Sequence, residues 1–197
     1  MTVILGSTST GGSNDTGLQG IIASRYVASA TGSIDTVSIS VTATNEATAS
    51  TVGIYTDYNN GTFQQPHLLV GNAVALTMAS NPGVPTVYTS ASGIAAAITS
   101  GVNYWIAFLQ PDTSNIVFTF SSTATTNSVY VSGASSLPGT FAAATQFSTA
   151  TELIDAYGSG TISGGTLSIG SGGTVAETTA TGESTQAPFP SPVRVVN

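Results

Sequence analysis

The sequence predicts an all-β protein, built as a single jelly-roll-like antiparallel β-sandwich with extended N- and C-terminal arms. Short apolar stretches alternate with polar residues at a period of two, as in Val37–Val41, which is typical of strands with one buried face. These stretches recur about every 8–12 residues between Gly, Pro and Asn, the spacing of sandwiches and barrels. Only Ile94–Ile98 has helical propensity, and it is too short for more than a turn of helix.

The chain has 197 residues, of which 41% are hydrophobic, enough for one domain with a core of its own. Residues 1–19 are rich in Gly, Ser, Thr and Asn and are expected to form an N-terminal arm. Residues 20–157 hold the strand patterns and are expected to form the sandwich. Residues 158–197 are Gly/Ser/Thr-rich and then Pro-rich, and are expected to form a C-terminal arm.

The first half of the predicted sandwich contains residue patterns that predict a bulge, a strand and a turn. Ile34 is out of phase with Val37, which predicts a β-bulge or strand entry near Asp35. Thr51–Thr56 is predicted to form the next strand, with its apolar side chains inward. Asn60-Gly61 follows, and both residues tolerate positive φ, so a tight turn is expected there.

Tyr104–Leu109 is apolar on both faces, which predicts a central strand covered on both sides. Tyr104, Trp105 and Phe108 are therefore assigned to the core. A weak hairpin is expected around Gly164-Gly165. The remaining predicted strands are Leu68–Val70, Val74–Met78, Val87–Thr89, Ile116–Phe120, Val129–Val131 and Glu152–Tyr157.

Charge and cysteine content exclude several classes of function. Charged residues make up 6% of the chain, lysine is absent, and Arg25 and Arg194 are the only Lys or Arg residues against nine carboxylates. Two cations cannot neutralise a phosphate backbone or an anionic bilayer, so no nucleic acid and no membrane is expected as a partner. No apolar run approaches the roughly 20 residues of a membrane span. Without cysteine there is neither a disulfide nor a thiolate metal site.

The N-terminal residues Met1–Gly6 contain no positively charged side chain, and their apolar stretch is shorter than that of a signal peptide. The Ser/Thr/Gly-rich composition nevertheless suits an exposed surface. A virion-surface protein made in the host cytoplasm satisfies both observations. An extracellular or bacterial-surface location is the alternative.

No catalytic residue and no cofactor is predicted. His67 is the only histidine, and no G-x-S-x-G motif supplies a nucleophile for it. It is interpreted as a turn histidine without chemistry. The carboxylates, Asp57 and Asp155 among them, are interpreted as solvated charges at strand ends and turns.

Asp57, Asn59 and Gly61 resemble the start of a calcium loop. Gly61 offers no third oxygen, and the twelfth position is Leu68 instead of Glu. An ordinary turn is therefore the better interpretation, and no metal site is predicted.

Two sets of residues are candidates for binding. Tyr58 and Phe63 flank the predicted turn, where exposed aromatic rings could stack on a glycan; the alternative is that they cap the sandwich edge. In the C-terminal arm, Pro188, Pro190 and Pro192 favour an extended backbone. The expected partner-docking residues of this arm are Phe189, Val193, Arg194, Val195 and Val196.

Several runs resemble jelly-roll modules of phage virion or fibre proteins and of secreted, carbohydrate-binding-like bacterial proteins. The runs are Thr51–Asp57 with Asn60-Gly61 and Pro66–Leu69, Ile98–Leu109, Leu137–Phe141 and Ile154–Tyr157. The resemblance covers about residues 20–157 and implies a sandwich used for binding or assembly, with no catalytic residues to transfer. Gln65 departs from the glycine expected before Pro66.

Three functions remain open. The first is a non-enzymatic virion structural protein, namely a capsid decoration protein or a head- or tail-fibre subunit, attached through a terminal arm and oligomeric. Its partners would be capsid or fibre proteins. The second is a carbohydrate-binding module, and the third is a subunit of a bacterial surface layer or filament.

Overall fold

The computed structural model describes residues 1–8, 13–16, 19–44, 48–79, 86–110, 116–121, 127–142, 148–149 and 153–163. Within these ranges the chain forms strands and no helix, so no helix there could span a membrane. The strands are β1 Thr2–Gly6, β2 Ser13–Thr16, β3 Gly20–Val27, β4 Gly32–Thr44, β5 Thr48–Asn59, β6 Gln64–Met78, β7 Thr86–Thr89, β8 Ala96–Ile98, β9 Asn103–Gln110, β10 Ile116–Ser121, β11 Ser128–Ser132, β12 Ser148–Thr149, β13 Leu153–Ile154 and β14 Ala156–Ile162.

The strands form two antiparallel sheets. Sheet I has the order β1-β14-β4-β10-β13, with β2 paired to β10 and with β7 and β8 paired to β4. Sheet II has the order β12-β11-β3-β9-β5-β6. Their facing sides share one apolar core, so the predicted all-β sandwich is confirmed.

The inner core lies between the sheets and takes alternate residues from the regular parts of the strands, and it takes the consecutive residues Ile4 and Leu5 from β1, where the pairing with β14 is irregular. The larger side chains from sheet II are Ile22, Val52, Ile54, Leu76, Met78, Tyr104, Ile106 and Phe108. Those from sheet I are Ile4, Leu5, Ile34, Val37, Ile39, Val41, Ile98 and Ile154.

A second core covers the opposite face of sheet II. Trp105, Ala107 and Leu109 alternate with the inner-core residues of β9, which therefore has both faces buried, as predicted. The segment after β11 folds back over this outer face. The outer core consists of Ile21, Ala23, Tyr55, Trp105, Ala107, Leu109, Val129 and Phe141.

The predicted bulge near Asp35 is confirmed. Thr36 pairs with Ser159 and Ile34 pairs with Gly160, so β4 has one extra residue between these two pairs. Because of the extra residue, Ile34 and Val37 face the same side of the sheet, and both are fully buried.

The sandwich is larger than predicted at both of its sequence boundaries. Strand β1 lies within the segment expected to be an N-terminal arm, and it pairs with β14. Its Ile4 and Leu5 are buried because they complete the inner core. Strand β14 continues past the expected boundary at residue 157 to Ile162, and the compact unit comprises Met1–Ile162. Ser163–Asn197 form a second unit. Residues 164–197 of this unit lie outside the described residues, and so does the hairpin expected at Gly164-Gly165.

Two local predictions differ from the structure. Instead of a turn of helix, Ala96–Ile98 form strand β8, paired with Gly32–Ile34 of β4. The expected strands Leu68–Val70 and Val74–Met78 are parts of one long strand, β6. β6 bulges at Gly71, where φ is +74° and a Cβ would lie 2.1 Å from the carbonyl oxygen of Ile94. Only glycine permits this approach.

Alkaline unfolding tests the burial of Tyr55. Burial raises the pKa of the Tyr55 hydroxyl above its usual value of about 10, so the folded state holds this proton more tightly than the unfolded state. The free energy of unfolding should be unaffected below about pH 10. Above it, the free energy should fall by up to about 1.4 kcal/mol per pH unit for this group. Urea denaturation at several pH values measures this slope.

Tyr55→Phe is the control for this slope. It removes the titrating hydroxyl together with its 2.7 Å hydrogen bond to the Pro138 carbonyl, at a cost of about 1 kcal/mol at neutral pH. Its alkaline slope should be shallower than that of the native chain. An identical slope in both proteins would contradict the burial of Tyr55 as its source.

Candidate binding site at one end of the sandwich

One end of the sandwich gathers the candidate residues of the described chain. Because β3, β9 and β5 are successive antiparallel neighbours, β3 and β5 end where β9 begins. The four-residue turn from β5 to β6 lies at this same end, and so does the start of β4, which follows β3 after a short connection. We call this end the cleft end.

An open cleft of about 380 Å³ lies there between β5 and the turn that precedes β9. Thr56 and Tyr104 are cross-strand partners in β5 and β9. Gly101 has φ of +78° and shapes the turn between β8 and β9. The residues that line the cleft are Thr56, Asp57, Gly101, Val102, Asn103 and Tyr104.

Asp57 is held by two partners from neighbouring strands. One carboxylate oxygen forms an ion pair with the guanidinium of Arg25. The other accepts a 2.8 Å hydrogen bond from the indole Nε1 of the fully buried Trp105. The Arg25 guanidinium also donates a 3.5 Å hydrogen bond to Asn127 Oδ1. The Asp57 side chain is therefore bound by other side chains of sheet II. It is not the solvated charge that the sequence suggested.

The same correction applies to Asp155, which is 3% exposed at the junction of β13 and β14. Burial, and after it the negative charge of Asp155, raise the pKa of the Tyr26 hydroxyl. That hydroxyl donates a hydrogen bond to the Ile154 carbonyl. Asp155 is thus a buried residue of sheet I, whereas Tyr26 belongs to β3 of sheet II and its hydroxyl reaches across to the Ile154 carbonyl.

Tyr58 forms an aromatic pair with His67. Their ring centroids are 4.9 Å apart at 32°, and Tyr58 is 36% exposed. His67 lies within β6 and not in a turn as predicted, and its Nδ1 is 3.0 Å from the Phe141 carbonyl oxygen. His67 therefore orients the exposed Tyr58 ring and ties β6 to the segment that covers the outer core.

Phe63, the other aromatic residue predicted at this turn, lies elsewhere. It is half-buried and packs against the outer core with Leu69 and Leu137. In this structure Phe63 is thus a packing residue of the outer core. The pairing of Tyr58 with His67 was missed, because nothing in the sequence indicates that a bulge turns residue 67 toward residue 58.

The turn itself confirms the tight-turn prediction and uses its side-chain oxygens internally. Asn59 Oδ1 accepts a 2.8 Å hydrogen bond from the Gly61 backbone N–H. Asn60 Oδ1 accepts from Thr62 and Phe63. These are Asx-type contacts of an ordinary turn, and Asp57, the first position of the calcium-like pattern, is engaged by Arg25 and Trp105. Among the described residues no group of three His, Cys, Asp or Glu side chains could hold a metal ion.

Three of the exposed apolar side chains of the described residues lie at the cleft end, namely Val27, Val102 and Ile162. Val27 and Val102 lie beside one another, since the Ala28 N–H donates a 2.9 Å hydrogen bond to the Val102 carbonyl. Ile162 pairs with Gly32 at the start of β4. The exposed fractions are 58% for Val27, 44% for Val102 and 51% for Ile162. The predicted docking residues Phe189, Val193, Arg194, Val195 and Val196 lie outside the described residues.

Comparison of the chain with models of protein families, with curated proteins and with solved structures finds no match.

Proposed function

We propose that this chain is a non-enzymatic structural protein of a virion surface, namely a capsid decoration protein or a fibre subunit. It would be made in the host cytoplasm and attached to capsid or fibre proteins through its C-terminal sequence. The observation that carries the proposal is the division of the chain at Ile162. A compact sandwich precedes this point, and Ser163–Asn197 form a unit of their own.

The sequence of this second unit suits attachment. Ala176–Gln186 has no apolar periodicity, and Pro188, Pro190 and Pro192 then favour an extended backbone. A pre-extended segment loses less conformational entropy on docking. Phe189, Val193, Val195 and Val196 supply apolar area at its tip.

The energy available is sufficient for attachment. Burying one such side chain contributes roughly 1.5–3 kcal/mol, so several together could hold a subunit, and symmetric copies would add avidity. Arg194 could pair with an acidic group of the partner.

Deleting Pro188–Asn197 tests the proposal. Truncated protein should still give the β-type circular dichroism spectrum of the full chain, because Met1–Ile162 form the compact unit. Its retention on purified virus particles should fall roughly 100-fold or more, as expected for the loss of several buried apolar side chains. The measurement is the amount of protein that sediments with particles in a density gradient.

The matched control is an equal-length deletion of Glu177–Gln186, which shortens the chain but keeps the apolar tip. It should remain on the particles. Undiminished incorporation of the Pro188–Asn197 deletion would show that the C-terminal tip does not make the attachment. If the full-length protein were absent from particles, the virion role itself would be refuted.

A further inference from the structure

The cleft at the end of sheet II has the size and shape of a small-molecule site. Its volume of about 380 Å³ lies in the lower part of the range for ligand pockets, about 300–1,000 Å³. Four of its lining residues lie in β5 and β9, which are paired by backbone hydrogen bonds, and Gly101 and Val102 lie in the short turn before β9. The lining is therefore held mainly by the sheet and contains no long loop.

The charge of the cleft selects a neutral ligand. Asp57 is the only carboxylic acid among the described lining residues, and the ion pair with Arg25 compensates its charge. Arg25 is the only Lys or Arg before Arg194 in the sequence. A phosphate or sulfate would thus find no uncompensated cation here, and a cationic ligand would compete with Arg25 for the same carboxylate.

The polar groups of the cleft suit hydroxyl recognition. Asp57 holds its carboxylate at the cleft wall, and each of its oxygens has acceptor capacity beyond its present partner. Thr56 Oγ1 accepts from the Leu68 N–H at 3.0 Å, which leaves its own hydrogen to donate. Asn103, half-buried at the start of β9, adds an amide with both donors and an acceptor.

Apolar contact surface is available in the cleft at Val102 and, outside the cleft lining, at the exposed Tyr58 ring near the end of β5. Thr56 and Asp57 line the cleft, and β5 continues directly into Tyr58, whose exposed ring is backed by His67. Val102, which is 44% exposed, lines the cleft opposite β5. A saccharide with one ring in the cleft and the next ring extending past the end of β5 would contact both kinds of surface.

We propose that the cleft end binds a neutral saccharide. Asp57 accepts hydrogen bonds from hydroxyl groups of the ring in the cleft, Thr56 and Asn103 donate hydrogen bonds to them, and a neighbouring ring of the same saccharide stacks on Tyr58, which His67 holds in place. The site is distinct from the C-terminal attachment sequence, and the inference does not depend on a virion role.

Affinity electrophoresis of the full chain in native gels tests this inference, with dextran, galactomannan, xylan or hydroxyethylcellulose as neutral probes and alginate as an anionic one. At least one neutral polysaccharide should retard the protein, and alginate should retard it less. Tyr58→Ala and Asn103→Ala should each weaken the retardation roughly tenfold, the effect expected from loss of a ring contact or a hydrogen bond. Both positions are outside the Arg25–Asp57–Trp105 contacts, so the variants should keep the native fold, which circular dichroism checks.

Two matched variants separate stacking from other effects. Tyr58→Phe keeps the ring and should bind within about twofold of the native chain, whereas Val87→Ala removes an exposed apolar side chain of β7 and should bind as the native chain does. Retardation by none of the neutral probes would overturn the inference. Native-like binding by the double variant Tyr58→Ala/Asn103→Ala, or stronger retardation by alginate than by any neutral probe, would do the same.

Discussion

Arg25→Met is expected to lower the free energy of unfolding by about 3 kcal/mol, the lower end of the range for removing one partner of a buried ion pair. Arg25 and Asp57 are only 19% and 17% exposed. Methionine keeps much of the side-chain volume but carries no charge. Of the two partners of the Asp57 carboxylate, Arg25 and Trp105, only Trp105 Nε1 then remains. Urea denaturation monitored by Trp105 fluorescence measures the loss directly.

The double variant Arg25→Met/Asp57→Asn is the matched control. Asparagine removes the orphaned charge and still offers an oxygen to Trp105 Nε1. The double variant should therefore be more stable than Arg25→Met alone, by about 1–2 kcal/mol. Additive losses in the double variant would show that the two charges do not stabilise one another in the folded chain.

Phe141→Ala should produce a loss of similar size, about 3 kcal/mol. Phe141 is 3% exposed, and its ring lies 4.9 Å from that of Tyr55 at 55°. Its truncation opens a cavity between sheet II and the segment that covers it. Because the Phe141 carbonyl oxygen also contacts His67, the change should loosen the support of Tyr58 as well.

Phe63→Ala provides the comparison on the same face of the sheet. Phe63 is half-buried at the margin of the outer core, so its truncation should cost about 1 kcal/mol. Denaturation of the two variants under identical conditions compares these losses. An equal or larger loss for Phe63→Ala would mean that the segment around Phe141 is only loosely attached to sheet II.

These two expected results concern the same part of the molecule as the cleft for which we propose saccharide binding. The ion pair fixes Asp57 in the cleft wall, and the Phe141 segment supports His67 behind Tyr58. Both features stabilise the sandwich and position groups at the cleft end, which is why the binding tests use Tyr58 and Asn103 instead of Asp57 or Phe141.

Local sequence patterns predicted much of the fold. The apolar run Tyr104–Leu109 identified the central strand, and the phase break between Ile34 and Val37 identified a bulge that the register confirms. The Asn60-Gly61 turn was also predicted correctly. Patterns of this kind succeed because strand periodicity and turn chemistry depend on residues that are near one another in the chain.

The sequence by itself thus determined the all-β class, the two-sided burial of β9 and the main strand positions. Tertiary structure alone decided that Asp57 pairs with Arg25 and Trp105, at separations of 32 and 48 residues, and that Tyr58 pairs with His67. It also decided that Thr2–Gly6 and Ala96–Ile98 join sheet I as strands. The physical reason is that these residues have weak or ambiguous local preferences, and their conformation is fixed by partners that only the pairing of distant strands brings into contact.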